Sequence, residues 1–174
     1  MVDPAPSNPS INEKVNYPFM AFNFAIEITV EGVAKQICDA AFAECDGLEM
    51  TMDVKTIREG GNNGKQIRLT GPMNYSSLTL KRGMTETFDL WKWVELMQTN
   101  PETRANATVV IFMTERKFEE NRKNFKDEKK VKAKFLLSRC VPVKLKAPPL
   151  NAKDGGVAIE ELQLAYESLK LEIS

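Results

Sequence analysis

With 174 residues the chain suits one domain large enough to bury a core, and its 24 basic and 24 acidic residues cancel to a formal charge of zero. That balance argues against a dedicated nucleic-acid binder, which draws most of its affinity from neutralised phosphates, and it lowers the repulsion between like subunits. The chain has no histidine and three cysteines, which excludes Ser-His and Cys-His nucleophilic centres, imidazole zinc sites and a four-thiolate zinc site within one chain.

In chain order, residues 1–16 place Pro4, Pro6 and Pro9 among small polar residues and read as a flexible arm; residues 17–174 read as a single domain. No apolar run approaches the ~20 residues of a membrane span and none resembles a signal peptide, so the protein is expected in the cytoplasm without a membrane anchor. Cys38, Cys45 and Cys140 form no disulfide framework. Phe22, Phe24, Ile26, Ile28 and Val30 alternate with polar or small residues, a half-buried strand turned at Glu31-Gly32. Residues 33–44 are short and mixed, a second strand or a connection. Leu48, Met50, Met52 and Val54 alternate again in a strand expected to reach Arg58.

The run Gly60-Gly61-Asn62-Asn63-Gly64 tolerates positive φ and reads as a hairpin loop. Ile67 and Leu69 mark the return strand, which Gly71-Pro72 is expected to stop; Leu78 and Leu80 mark another, ending at Arg82-Gly83. A helix over about 86–98 comes next, capped by Thr85 or Thr87 and ended at Asn100-Pro101, with Phe88, Trp91, Val94 and Met97 as its apolar row and Leu90, Trp93 and Leu96 widening it. Both tryptophans read as core. Val109 to Met113 is a strand buried on both faces. Between 114 and 134, nine basic and five acidic residues suggest a solvated helix or flexible loop, a charged insertion at about 115–134. Alternation resumes at Val131, Ala133, Phe135 and Leu137, then Val141, Val143 and Leu145, and a last strand carries Leu162, Leu164 and Tyr166. The architecture is mainly β with one principal helix, a sandwich or barrel.

Catalytic readings fail on the residues. The 60–64 loop has three residues between Gly60 and Gly64-Lys65 where a P-loop has four, Gln66 stands where Ser or Thr would hold magnesium, and a strand succeeds the loop instead of a helix. Glu160 and Glu161 are adjacent in a strand and point to opposite faces, so they cannot flank one substrate bond; a solvated or interface role is expected for them. Lys126 to Lys134 mixes acids with bases and lacks a stacking surface for nucleic acid. The expectation is a protein without enzymatic activity or cofactor.

A set of phrases is more specific: FAECDGL at 42–48, IREGGNNG at 57–64, LTLKRG at 78–83, DLWKW at 89–93, PVKLKAPPLNA at 142–152, VAIEEL at 157–162 and LAYE at 164–167. In this order and spacing the chain resembles the tail-tube protein family of contractile-tailed phages and extracellular contractile injection systems, over about residues 17–171. The wording of FAECDGLEM and LLSRCVPVKLKAP is nearer the second, baseplate-proximal tube protein. The charged insertion and the long N-terminal arm depart from the pattern.

The resemblance implies a β-sandwich or split barrel whose strands join between subunits into a ring barrel. It implies homohexameric rings stacked around a channel, with adjacent tube rings, a spike or hub protein of the baseplate and a sheath as partners, assembled into a phage tail or extracellular particle. It nominates the hairpin of residues 48–80 for ring and stacking contacts, with Arg58, Glu59, Gly60, Gly61, Asn62, Asn63, Gly64, Lys81 and Arg82 at the subunit interface. A main tube subunit, a haemolysin-coregulated-type tube protein and a monomeric β-sandwich binding module are the alternatives.

Overall fold

The structure, a computed structural model, describes residues 23–32, 38–40, 42–58, 65–119, 124–153 and 155–173. The expected N-terminal arm and residues 59–64 lie outside them. The strands are β1 (Phe24–Val30), β2 (Cys38–Ala40), β3 (Glu44–Asp46), β4 (Met50–Arg58), β5 (Gln66–Tyr75) and β6 (Leu78–Gly83). Helix α1 (Asp89–Thr99) precedes β7 (Ala105–Glu119), β8 (Asn124–Lys146), β9 (Ile159–Ala165) and β10 (Ser168–Ile173). Eight strands of the described residues form one curled half-barrel sheet in the order β2-β1-β7-β8-β9-β6-β3, with β10 also on β8. Among the described residues, strands β4 and β5 pair only with each other.

The alternation read in the sequence sets the core. Ile26, Ile28 and Val30 of β1 point inward with Ala105, Ala107 and Val109 of β7, Leu78 and Leu80 of β6, Leu137 of β8, and Leu162 and Leu164 of β9. Leu90 and Trp93 of the helix close over them. Val109 and Val110 are both buried, so β7 is covered on both faces there, while Ile111 to Met113 are half-buried.

One strand serves both halves of the sheet. Residues 133–138 of β8 pair with β10, and residues 141–146 pair with β9. The changeover is a bulge in which Ser138 and Arg139 face the single residue Asn106. Arg139 takes a left-handed φ of 54°, donates its backbone N–H to Asn106 Oδ1 at 3.3 Å, and pairs its side chain with Glu167 at 2.7 Å. A bulge bends a strand and re-aims the residues beyond it, here toward β9.

Five local readings are corrected. The helix starts at Asp89, not 86: Phe88 holds the N-cap position at φ 48° without a side-chain cap, and Thr85 and Thr87 hydrogen-bond each other at 2.9 Å. The helix turns Leu90, Trp93, Leu96 and Met97 inward while Phe88 is exposed, and Trp91 is only half-buried. β5 runs through Gly71-Pro72, because those two residues bulge opposite Asp53, where proline's missing N–H breaks no ladder bond. A side chain at Gly71 would meet Asp53 O at 2.9 Å. The charged stretch continues β7 and β8 as a paired ribbon to Glu119↔Asn124, and a further strand, β10, comes after Tyr166.

Candidate functional site: an exposed ribbon and its neck

The β4–β5 pair stands apart from the sheet, and every residue of β4 is exposed. Met50 (53%), Met52 (47%), Val54 (55%) and Met73 (41%) are the large apolar residues of its base half. The register sets Met50 opposite Tyr75, Met52 opposite Met73 and Val54 opposite Thr70, so these share one face. The other face of the base is polar: Asn74 donates to Asp53 Oδ2 at 3.1 Å, and Thr51 reaches Asn74 O at 3.5 Å. Near the tip, Leu69 and the Ile57↔Ile67 pair lie on this second face. The apolar row thus changes sides midway. Fully burying one such side chain is worth roughly 1.5–3 kcal/mol, a gain this subunit alone does not collect.

The ribbon is tied to the body at a neck. Gly47 has φ 96°, and a side chain there would collide with the backbone oxygen of Ser77, so only glycine fits the turn. Gly47 N–H donates to Asp46 Oδ1 at 2.9 Å. Across the neck, Ser76 donates from its backbone to Glu49 O at 3.3 Å and from its hydroxyl to Glu49 Oε2 at 3.0 Å. The Tyr166 hydroxyl lies 3.3 Å from both Gly47 O and Glu49 O, and its ring packs on Tyr75 at 5.5 Å between centroids. Burial pushes the Tyr166 phenol above its ordinary value. Gly47 and Tyr166 sit inside the FAECDGL and LAYE phrases, but a contact between positions 119 apart leaves no local signature.

Behind the neck lies a buried charged cluster. Arg82, 1% exposed, donates from Nε to Glu160 Oε1 at 2.8 Å and binds the Asp89 carboxylate through both terminal nitrogens, one at 3.2 Å. Trp91 Nε1 donates to Glu160 Oε2 at 3.1 Å, and the guanidinium lies 5.5 Å from the Phe42 ring centroid. The cluster fastens the helix to β6 and β9. It corrects the reading of Glu160 as solvated or interfacial: this carboxylate is 1% exposed, whereas Glu161 on the opposite face is half-buried and 3.8 Å from Lys144.

The nominated interface residues therefore separate. Arg58 is exposed at the far end of β4, and Glu59, Gly60, Gly61, Asn62, Asn63 and Gly64 lie outside the described residues. Lys81 is partly exposed and pairs with Glu44 at 2.6 Å, which raises its pKa through that hydrogen bond and charge. Arg82 faces inward, so its side chain is not at the surface of the single subunit. Among the described residues no helix is long and apolar enough to cross a membrane, and no group of three metal-ligating side chains gathers.

No curated protein matches the chain. Among solved structures it is similar to a chain of the anti-feeding prophage baseplate, at 23% identity and a TM-score of 0.72, covering 91% of this chain and 97% of that one. It is also similar to a chain of the PVC extracellular contractile injection system sheath-tube complex, at 17% identity and a TM-score of 0.69, covering 97% and 100%. Those likenesses establish the fold. The model of the T4-like virus tail tube protein gp19 family matches residues 20–170, nearly the whole chain, and the protein belongs to that family.

Proposed function

We propose that this chain is a non-enzymatic structural subunit of the inner tube of a contractile injection system or phage tail. In this reading six copies close into a ring, and rings stack around a channel. The observation that carries the reading is the exposed β4–β5 ribbon, which holds large apolar side chains in solvent while its neck is tied to the body. An amphipathic ribbon that its own sheet does not cover is a surface for another subunit. The free edges of the sheet point the same way, since pairing with neighbours removes them as barrel closure does. The repeated contact is heterologous, head to tail, and closes when the rotation per subunit divides a circle.

Within the tube we assign it to the baseplate-proximal end, as an initiating or adapter ring that meets the spike or hub protein, with the main tube subunit as the alternative. The β7–β8 ribbon supports this position, and so does a likeness to a chain in a baseplate assembly. Electron microscopy and size-exclusion elution of the purified protein test the core of the proposal. Rings several times larger than the 19.6 kDa subunit are expected. A protein that stayed monomeric at every concentration would support the binding-module alternative.

A further inference from the structure

We infer that the apolar face of the β4–β5 ribbon docks on a second copy of this chain, at the surface formed by residues 83–88 and 149–159. This rests on the self-assembly proposed above and names the surface that receives the ribbon.

The receiving surface is built where β6 ends. Gly83 pairs with Ile159, and Met84 N–H donates to Ala158 O at 2.8 Å, so the turn leaving β6 and the chain entering β9 lie side by side. Val157 covers Gly83, its Cγ1 3.9 Å from where a side chain there would begin. Four large apolar residues of these segments are exposed: Leu150 at 92%, Val157 at 81%, and Ile159 and Phe88 at 48%. Scattered exposed apolar residues are ordinary, but four on two adjoining segments mark a contact surface. Phe88 also holds a left-handed φ of 48°, a costly backbone for a bulky residue. A cleft of about 430 Å³ opens in the loop, lined by Pro149, Leu150, Asn151, Gly156, Val157 and Ala158. Among the described residues no charged side chain lines it, so it suits apolar side chains better than a charged small molecule.

The ribbon face has the composition of an interface centre. Met50, Met52, Met73 and Tyr75 at its base lead to Arg58 and Arg68 near its tip, all on the side set by the register. Methionine, tyrosine and arginine are enriched in protein interfaces, and methionine adapts to an irregular cleft. Arg58 and Arg68 are diagonal neighbours, and no acid shares their face among the described residues. The receiving surface supplies one, Glu86, exposed in the turn between Met84 and Phe88. The apolar base of the ribbon thus matches the apolar cleft, and its cationic end matches a carboxylate on the adjoining turn.

The single chain does not bring these two surfaces together. Ser76 and Ser77 join the ribbon to the Leu78 end of β6, and the receiving surface stands at the Gly83 end, about 17 Å along the strand. Both surfaces stay exposed in the subunit. A different partner on either one would leave the other in solvent. One head-to-tail contact between copies covers both.

The test places the photo-cross-linker benzoylphenylalanine at Met52 of the full chain and mixes it with isotope-labelled wild-type copies. Links to labelled peptides containing residues 83–88 or 149–159 are expected. The L150D/V157D variant, altered only at exposed positions, should lose these links and associate about tenfold more weakly or worse. Its circular dichroism should stay unchanged. Mixed with M52K/M73K, it should recover association, because each variant keeps the half that the other lacks. E86R should weaken association, and adding R58E and R68E to the same chain should restore it. Full rings from L150D/V157D, with links from position 52 mapping elsewhere, would overturn the inference and leave the tube-subunit reading standing. A chain that is monomeric and unlinked at every concentration would overturn both.

Discussion

At the scale of single residues, the buried Arg82 decides more than the exposed residues around it. A charge this enclosed is tolerated because Glu160, Asp89 and the Phe42 ring surround it. Removing one member strands the rest. Arg82→Met should cost roughly 3–5 kcal/mol by urea unfolding, and adding Glu160→Leu should recover much of that, since the orphaned carboxylate is the main penalty. Burial alone would raise the Asp89 carboxyl, but the hydrogen bond and charge of Arg82, with the Leu90 N–H, outweigh it and bring the carboxyl below its ordinary value. A depressed folded-state pKa means the contribution is complete above the unfolded value of about 3.9 and disappears as pH falls through the folded one. Acid unfolding should therefore be shallower in Arg82→Met. An unchanged acid profile would show that the pair contributes nothing at low pH. At the neck, Gly47→Ala should cost about 1–3 kcal/mol, because its methyl would meet Ser77 O in a left-handed backbone. Tyr166→Phe should cost about 1 kcal/mol but impair ring formation more than stability, measured by comparing thermal melts with ring yield.

At the scale of elements, the sequence makes most strands legible and leaves their neighbours undetermined. Alternation at Met50, Met52 and Val54 predicts a strand with one apolar face, but the period is the same whether that face is covered by its own sheet or by another chain. Gly71-Pro72 reads as a stop, and only the opposing Asp53 reveals a bulge that carries the strand onward. The stretch 114–134 has the composition of a solvated segment, and its strand character rests on cross-strand pairings such as Thr114↔Lys129 that no local window contains. Helix capping misleads for a related reason: the threonines have the right chemistry, but the Arg82–Asp89 contact fixes where the helix begins. Of the site, the hairpin is visible from its glycine loop and its flanking strands, whereas the neck and the buried cluster depend on contacts between distant segments. The exposed apolar face yields the sharpest prediction. Met52→Lys with Met73→Lys should leave subunit stability within about 0.5 kcal/mol, as expected for exposed positions, while abolishing rings in electron micrographs. Normal rings from that double variant would remove the ribbon from the assembly interface.

At the scale of the whole molecule, the two ribbons raise the question of what repeats along a tube. A subunit used in every ring must present the same two faces to each neighbour, and any outward extension recurs at every level. The paired β7–β8 ribbon continues eight residues beyond the last β7 residue that pairs with β1, Ile111, as far as Glu119, and on the ring arrangement proposed above it counts as such an extension. Repeated in each ring of a sheathed tube, it would crowd the space between tube and sheath. A ring used once, where the tube meets a different partner, carries the same extension without that conflict. On this argument the purified chain should stop at single rings or short stacks. Adding the hub protein or a main tube subunit should then carry growth further. Counting stack lengths in electron micrographs, with and without such a partner, measures this directly. Long regular filaments from this chain alone would make it the main tube subunit and require the β7–β8 ribbon to lie flat between neighbouring copies.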